Sequence, residues 1–90
     1  MPTINENTRV IDSSQLSERK PDAAQLDGEN TIYLGYKWAG TRALNEPNWL
    51  IIQITQDASG LILWKYPDGN SRQAIFQFSE CKTYNYELAL

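Results

Sequence analysis

The chain has no histidine and a single cysteine, Cys81, among its 90 residues. The first absence removes the usual general base and the commonest metal ligand. The second rules out an internal disulfide. No Ser-His or Cys-His pair can be assembled. Cys81 stands between Glu80 and Lys82, without the base and oxyanion site that a nucleophile needs, and it reads as structural. Paired carboxylates are missing as a motif: Asp57, Asp68 and Glu80 fall in separate turns, where acids are ordinary. No P-loop, GxGxxG or metal-loop spacing occurs. The expectation is a non-enzymatic protein with no catalytic residue, no cofactor and no metal.

Long apolar runs are missing too. No stretch of eighteen apolar residues is present, so no membrane-spanning helix and no membrane partner are expected. The opening MPTINENTRV lacks the basic and apolar regions of a secretory signal, and a lone cysteine fits synthesis in a reducing compartment.

Aromatic residues are absent from the first thirty positions; all ten lie between Tyr33 and Tyr86. The net charge of −3 is equally lopsided. Residues 1–30 carry six acids and three bases, and residues 31–90 carry five of each. Two regions are therefore expected: an extended N-terminal arm over 1–30 and a β-rich body over 31–90. A neutral body without a basic cluster argues against nucleic acid as a partner, because that affinity comes mainly from neutralising phosphates. A body of this size is marginally stable alone, and with disulfide and zinc excluded, partner chains are the remaining source of stability.

By composition the arm reads as a solvated tail. Its few apolar residues include Ile4, Val10, Ile11 and Leu16, which are candidates for contact with a neighbour. The stretch Ser13–Glu18 predicts a short helix capped by Ser14 and ended by Pro21, and Asp27-Gly28 marks a turn.

The body reads as strands over Thr31–Trp38, Trp49–Thr55, Leu61–Tyr66, Ala74–Phe78 and Tyr84–Leu88, each with period-two alternation. Turn chemistry separates them. Gly60 closes the Asp57–Gly60 connection and Gly69 the Pro67–Asn70 turn, both at positions that favour positive φ. The predicted fold is an all-β antiparallel meander of about five strands, either a small β-sandwich or a partly open barrel. Trp49, Trp64, Phe76 and Phe78 are its expected core, with tyrosines at the rim. Tyr33, Tyr36 and Trp38 fall on both faces of the first strand and are the expected interface anchors, since Tyr and Trp are favoured at binding hot spots. The same aromatics would suit a carbohydrate-stacking surface, which is the reading from a different class.

The body's pattern resembles a family of small tailed-bacteriophage virion structural proteins. That family begins with YIG-x-A-x-x-G, matched by Ile32, Tyr33, Leu34, Gly35, Ala39 and Gly40. It continues with a Trp-x-Ile-x-x-Ile strand, matched by Trp49, Ile51 and Ile54, and a D-G-N turn, matched at Pro67, Asp68, Gly69 and Asn70. It closes with Tyr-x-Tyr, matched by Tyr84 and Tyr86. The family's F-x-x-x-W-D-x-R segment is replaced by Ala74–Glu80, and the arm matches nothing in it. The resemblance implies a virion component made in the bacterial cytoplasm. Its expected partners are a major capsid protein, or neck or tail proteins, together with copies of itself. The leading role is capsid decoration or cement; the alternative is an adaptor or fibre-base protein of the neck or tail.

Overall fold

A computed structural model describes residues 20–89. The helix expected within Ser13–Glu18 and the arm candidates Ile4, Val10, Ile11 and Leu16 lie outside the described residues.

The described chain forms five strands: β1 (Ala23–Leu26), β2 (Thr31–Lys37), β3 (Trp49–Gln56), β4 (Ile62–Pro67) and β5 (Tyr86–Glu87). They lie side by side in chain order, every neighbouring pair antiparallel, in one open sheet. The expected all-β antiparallel meander is present, as a single unclosed sheet. The β-branched and aromatic runs of β2, β3 and β4 supply its centre, as strand preference requires.

Two turns fix the register of the strands they join, and a third redirects the chain after β4. Between β1 and β2 the Asp27 amide donates to Thr31 O at 2.9 Å, with Gly28 at φ 75°. Between β3 and β4 the Asp57 carboxylate accepts from the Ser59 hydroxyl and from the Ser59 and Leu61 amides. After β4, Asp68 and Gly69 both have positive φ, 53° and 72°, and the Asn70 amide donates back to Pro67 O at 2.9 Å. This is the primed turn geometry that follows the twist of a strand. The left-handed position expected for Gly69 is present, and Asp68 joins it there because Asp tolerates that region better than most side chains. The longer 38–48 loop is held by Glu46, whose carboxylate accepts the Arg42 and Ala43 amides. The Trp49 indole N–H closes the same loop by donating to Ala43 O at 3.0 Å.

Two expected strands differ from what forms, and one strand is unexpected. The expected Tyr84–Leu88 strand is reduced to Tyr86–Glu87, because only these residues pair with β4. Ala74–Phe78 is not a strand. Phe76 makes one reciprocal bridge to Trp49 and the chain then turns into a single 3-10 turn, Phe78–Glu80. Ala74, Phe76 and Phe78 are nevertheless all buried, with Ile75 exposed between them. The alternation encodes burial without a ladder. The fifth strand comes from within the expected arm: Ala23–Leu26 pairs with Leu26↔Ile32 to Ala23↔Gly35 in register. The sheet therefore begins before Thr31, and the expected boundary between arm and body does not coincide with the edge of the fold.

Alternation along β2 and β3 gives the sheet two apolar faces. One holds Tyr33, Trp49 and Ile51, and is covered by the C-terminal segment through Phe76, Phe78 and Cys81. Tyr84 and Tyr86 lock that cover in place. Tyr84 packs edge-on to Phe76 and its hydroxyl accepts the Gln77 amide at 2.8 Å. Tyr86 packs against Tyr33 and its hydroxyl donates to Cys81 O. Burial pushes the Tyr86 phenol well above its ordinary pKa, so it stays a donor. The opposite face holds Tyr36, Leu50 and Ile52, against which Leu34, Trp38, Ile54 and Tyr66 pack, with Ala74 closing one end.

Candidate binding surface

The second face is covered at one end only. Tyr36, Leu50, Ile52 and Ala74 are at most 4% exposed, whereas Leu26 is 71%, Ile62 54% and Trp64 51% exposed. Register explains how the exposed residues come together. Leu26 pairs with Ile32, Ile32 with Ile54, and Ile54 with Trp64. A single row of large apolar side chains thus crosses four adjacent strands. Cross-strand neighbours on one face stand about 4.5–5.5 Å apart at Cβ, so the row is continuous. Ile62 shares this face one step beyond Trp64, and Leu26, Ile32, Ile54 and Ile62 line a shallow groove of about 240 Å³. Over β1 to β4 the strand residues at this open end carry no charge: Leu26 from β1, Ile32 from β2, Ile54 and Gln56 from β3, Ile62 and Trp64 from β4. Glu87 of β5, paired with Tyr66, is the charged strand residue on this face.

The structure redistributes the residues expected at an interface. Tyr33 and Tyr36 are each 4% exposed, and they lie in the cores of opposite faces. Tyr33 and Tyr36 are enclosed because the C-terminal segment covers one face while Trp38 and Ala74 pack over the other. Trp38 is half-buried against the Tyr36 cluster. Conversely Trp64, expected in the core with Trp49, Phe76 and Phe78, is the exposed member of that group. Trp64 shares its parity with Ile62 and Tyr66, so alternation places it on a face correctly. Only the three-dimensional path of the C-terminal segment reveals that this part of the face lies open.

Two other features of the body are less suited to binding than this row. A broader concavity of about 630 Å³ is framed by the 68–73 turn with Ile75 and Phe76. Its Asn70 is spent on the loop itself: the side-chain oxygen accepts the Arg72 and Gln73 amides, and the amide group donates to Gln73 Oε1. Cys81 is buried 3.6 Å from Gln25 Oε1, and burial raises its thiol pKa. That makes it a space-filling residue of the covered face, in keeping with its expected structural role.

Comparison with known protein families, with curated proteins and with solved structures finds no match.

Proposed function

We propose that the chain is a non-enzymatic structural protein of a tailed-bacteriophage virion, attached to the particle through the Leu26–Ile32–Ile54–Trp64 row. The observation that carries the attachment is the row itself: uncharged, continuous over four strands, and ending on a half-exposed tryptophan. Contiguous exposed apolar surface on a small protein marks a site of contact, and Trp is enriched among residues that anchor such contacts. The virion assignment rests on the motif resemblance. Several of its matched residues have duties that any body of this design would need: Gly35 beneath Phe78, Trp49 and Ile51 in the covered core, Gly69 in a left-handed turn, and Tyr84 and Tyr86 pinning the cover.

Capsid decoration is the role proposed within that class. The test is to express a tagged copy during infection, band the particles and quantify the chain by mass spectrometry. A decoration protein should be present at on the order of hundreds of copies, whereas a neck ring, closed by cyclic symmetry, should hold roughly six to twelve. Trp64→Glu should be lost from the particles while remaining folded. Absence of the wild-type chain from particles refutes the virion reading. Retention of Trp64→Glu at wild-type level refutes the row as the attachment site.

A further inference from the structure

We propose that β1 is a self-association edge, and that two copies of this chain join antiparallel through it into one continuous ten-stranded sheet. The inference does not rest on the virion reading and is read out independently of any particle.

The hydrogen-bond pattern sets the geometry. The Asp27 amide donates to Thr31 O, which marks Asp27–Thr31 as a bonded pair. Bonded pairs alternate in an antiparallel ladder, so Gln25 also turns its backbone groups toward β2, to Tyr33. Ala24 and Leu26 therefore turn theirs away from the sheet. Among the described residues β1 is the terminal strand of the sheet order, with β2 as its neighbour. An edge like this is normally guarded by a charge, a proline or a bulge within the strand. β1 reads Ala-Ala-Gln-Leu and contains no charge and no proline.

This edge is complementary to itself. If two β1 strands meet antiparallel about a two-fold axis at Gln25, Ala24 of each copy faces Leu26 of the other. Each such pair exchanges two backbone bonds, so all four outward-facing residues are satisfied at once. The contact is isologous and closes at two copies. The side chains fit the same register. Leu26, 71% exposed, meets the small Ala24 of the second copy. The apolar row also continues without a break: Trp64, Ile54, Ile32 and Leu26 of one copy run into Ala24, Leu34 and Ile52 of the other, because Ala24 pairs with Leu34 and Leu34 with Ile52. A strand of unrelated sequence could bond to this edge, but the chain's own β1 matches both its bonding pattern and its side-chain sizes.

The test is sedimentation equilibrium of the full chain over a concentration series. A short-edge contact belongs to the weak end of interfaces, so a reversible monomer–dimer equilibrium is expected. Ala24→Pro removes an outward N–H and leaves every bond to β2 intact, a substitution that edge strands tolerate. It should raise the dimer dissociation constant at least about tenfold, with the β circular-dichroism signal unchanged. Leu26→Lys should do the same and serves as the second variant if Ala24→Pro unfolds. Trp64→Glu, far from the axis, should dimerise normally. A chain that stays monomeric up to its solubility limit overturns the proposal. So does a dimer that survives Leu26→Lys, or one that Trp64→Glu dissolves, since the contact would then lie elsewhere.

Discussion

On one face of the sheet, Tyr33, Trp49 and Ile51 lie beneath Phe76, Phe78 and Cys81. On the other, Ile32 and Ile54 stand between Leu26 and Trp64, each of which is more than half exposed. Both faces draw on β2 and β3, and the open one is the more apolar: it carries Ile32, Leu34, Ile52 and Ile54, where the covered one includes Gln53, Thr55 and Lys65. Exposure is decided by the cover. A short C-terminal segment, pinned by two tyrosine hydroxyls, can close only one side. The other side closes only near Tyr36 and Ala74. Apolar character therefore marks which residues leave water in some state of the protein, and the path of the chain decides which of them do so within a single copy.

The largest expected effect tests the covered face. Trp49 is 3% exposed, packs 5.5 Å from the Phe78 ring and donates its indole N–H to Ala43 O. Trp49→Ala should cost about 3–5 kcal/mol of folding stability, through lost transfer energy and the cavity left behind. Urea denaturation measures it. A cost below about 1 kcal/mol, within the range of ordinary surface changes, would mean that the cover is not closed in solution.

Gly35 gives a sharper probe of the same closure. A Cβ built there would lie 2.6 Å from Phe78 Cδ2 and 2.9 Å from Trp49 Cε3. The ring of Phe78 is seated where a side chain would otherwise be, so Gly35→Ala must displace the cover. Overpacking of this kind costs about 1–3 kcal/mol. Combining it with Phe78→Ala should recover part of that loss, a coupling between touching residues that a double-mutant cycle isolates. Strict additivity would show that Phe78 does not lie over Gly35.

These tests also show how much could be read from the chain before its structure. β2, β3 and β4 were legible because their alternation is dense and β-branched. β1 was not: Ala23, Ala24, Gln25 and Leu26 have little strand preference of their own, and pairing with β2 imposes the conformation. Ala74–Phe78 misled in the opposite sense, since its buried-exposed rhythm arises from packing against β3 and not from a ladder. At the binding surface, the parity of Trp64 was legible and its exposure was not. Exposure depends on contacts far apart in sequence, such as Tyr86 on Tyr33.

Acid should loosen both faces alike, because the carboxylates with shifted pKa hold turns and loops. Asp57 is depressed first by the Ser59 hydroxyl and then by the Leu61 amide; Glu46 is depressed first by the Ala43 amide and then by that of Arg42. Each folded pKa lies below its unfolded value. Their stabilisation is therefore fully present above the unfolded carboxylate pKa of about 4 and is lost as pH falls through the lower folded values. Denaturation midpoints measured across that acid range should fall more steeply for the wild type than for Asp57→Asn with Glu46→Gln. Equal slopes would remove these carboxylates from the account of acid sensitivity.

The smallest expected effect on folding bears most directly on the comparison. Trp64 has the largest side chain in the exposed row, yet about half of it is already in water. Within one copy its main neighbour on the face is Ile54 across the strand pair. A cross-strand contact of this type contributes roughly 0.2–1 kcal/mol. Trp64→Ala should therefore cost the free protein no more than about 1 kcal/mol, several-fold less than Trp49→Ala. Two tryptophans on adjacent strands would then differ only because one lies under the C-terminal segment and the other does not. Tryptophan fluorescence can be read before any denaturant is added: collisional quenching by iodide should fall sharply in Trp64→Ala and barely change in Trp49→Ala. If Trp64→Ala instead destabilises as strongly as Trp49→Ala, or leaves quenching unaltered, the row is covered in solution and the second face is not a free surface.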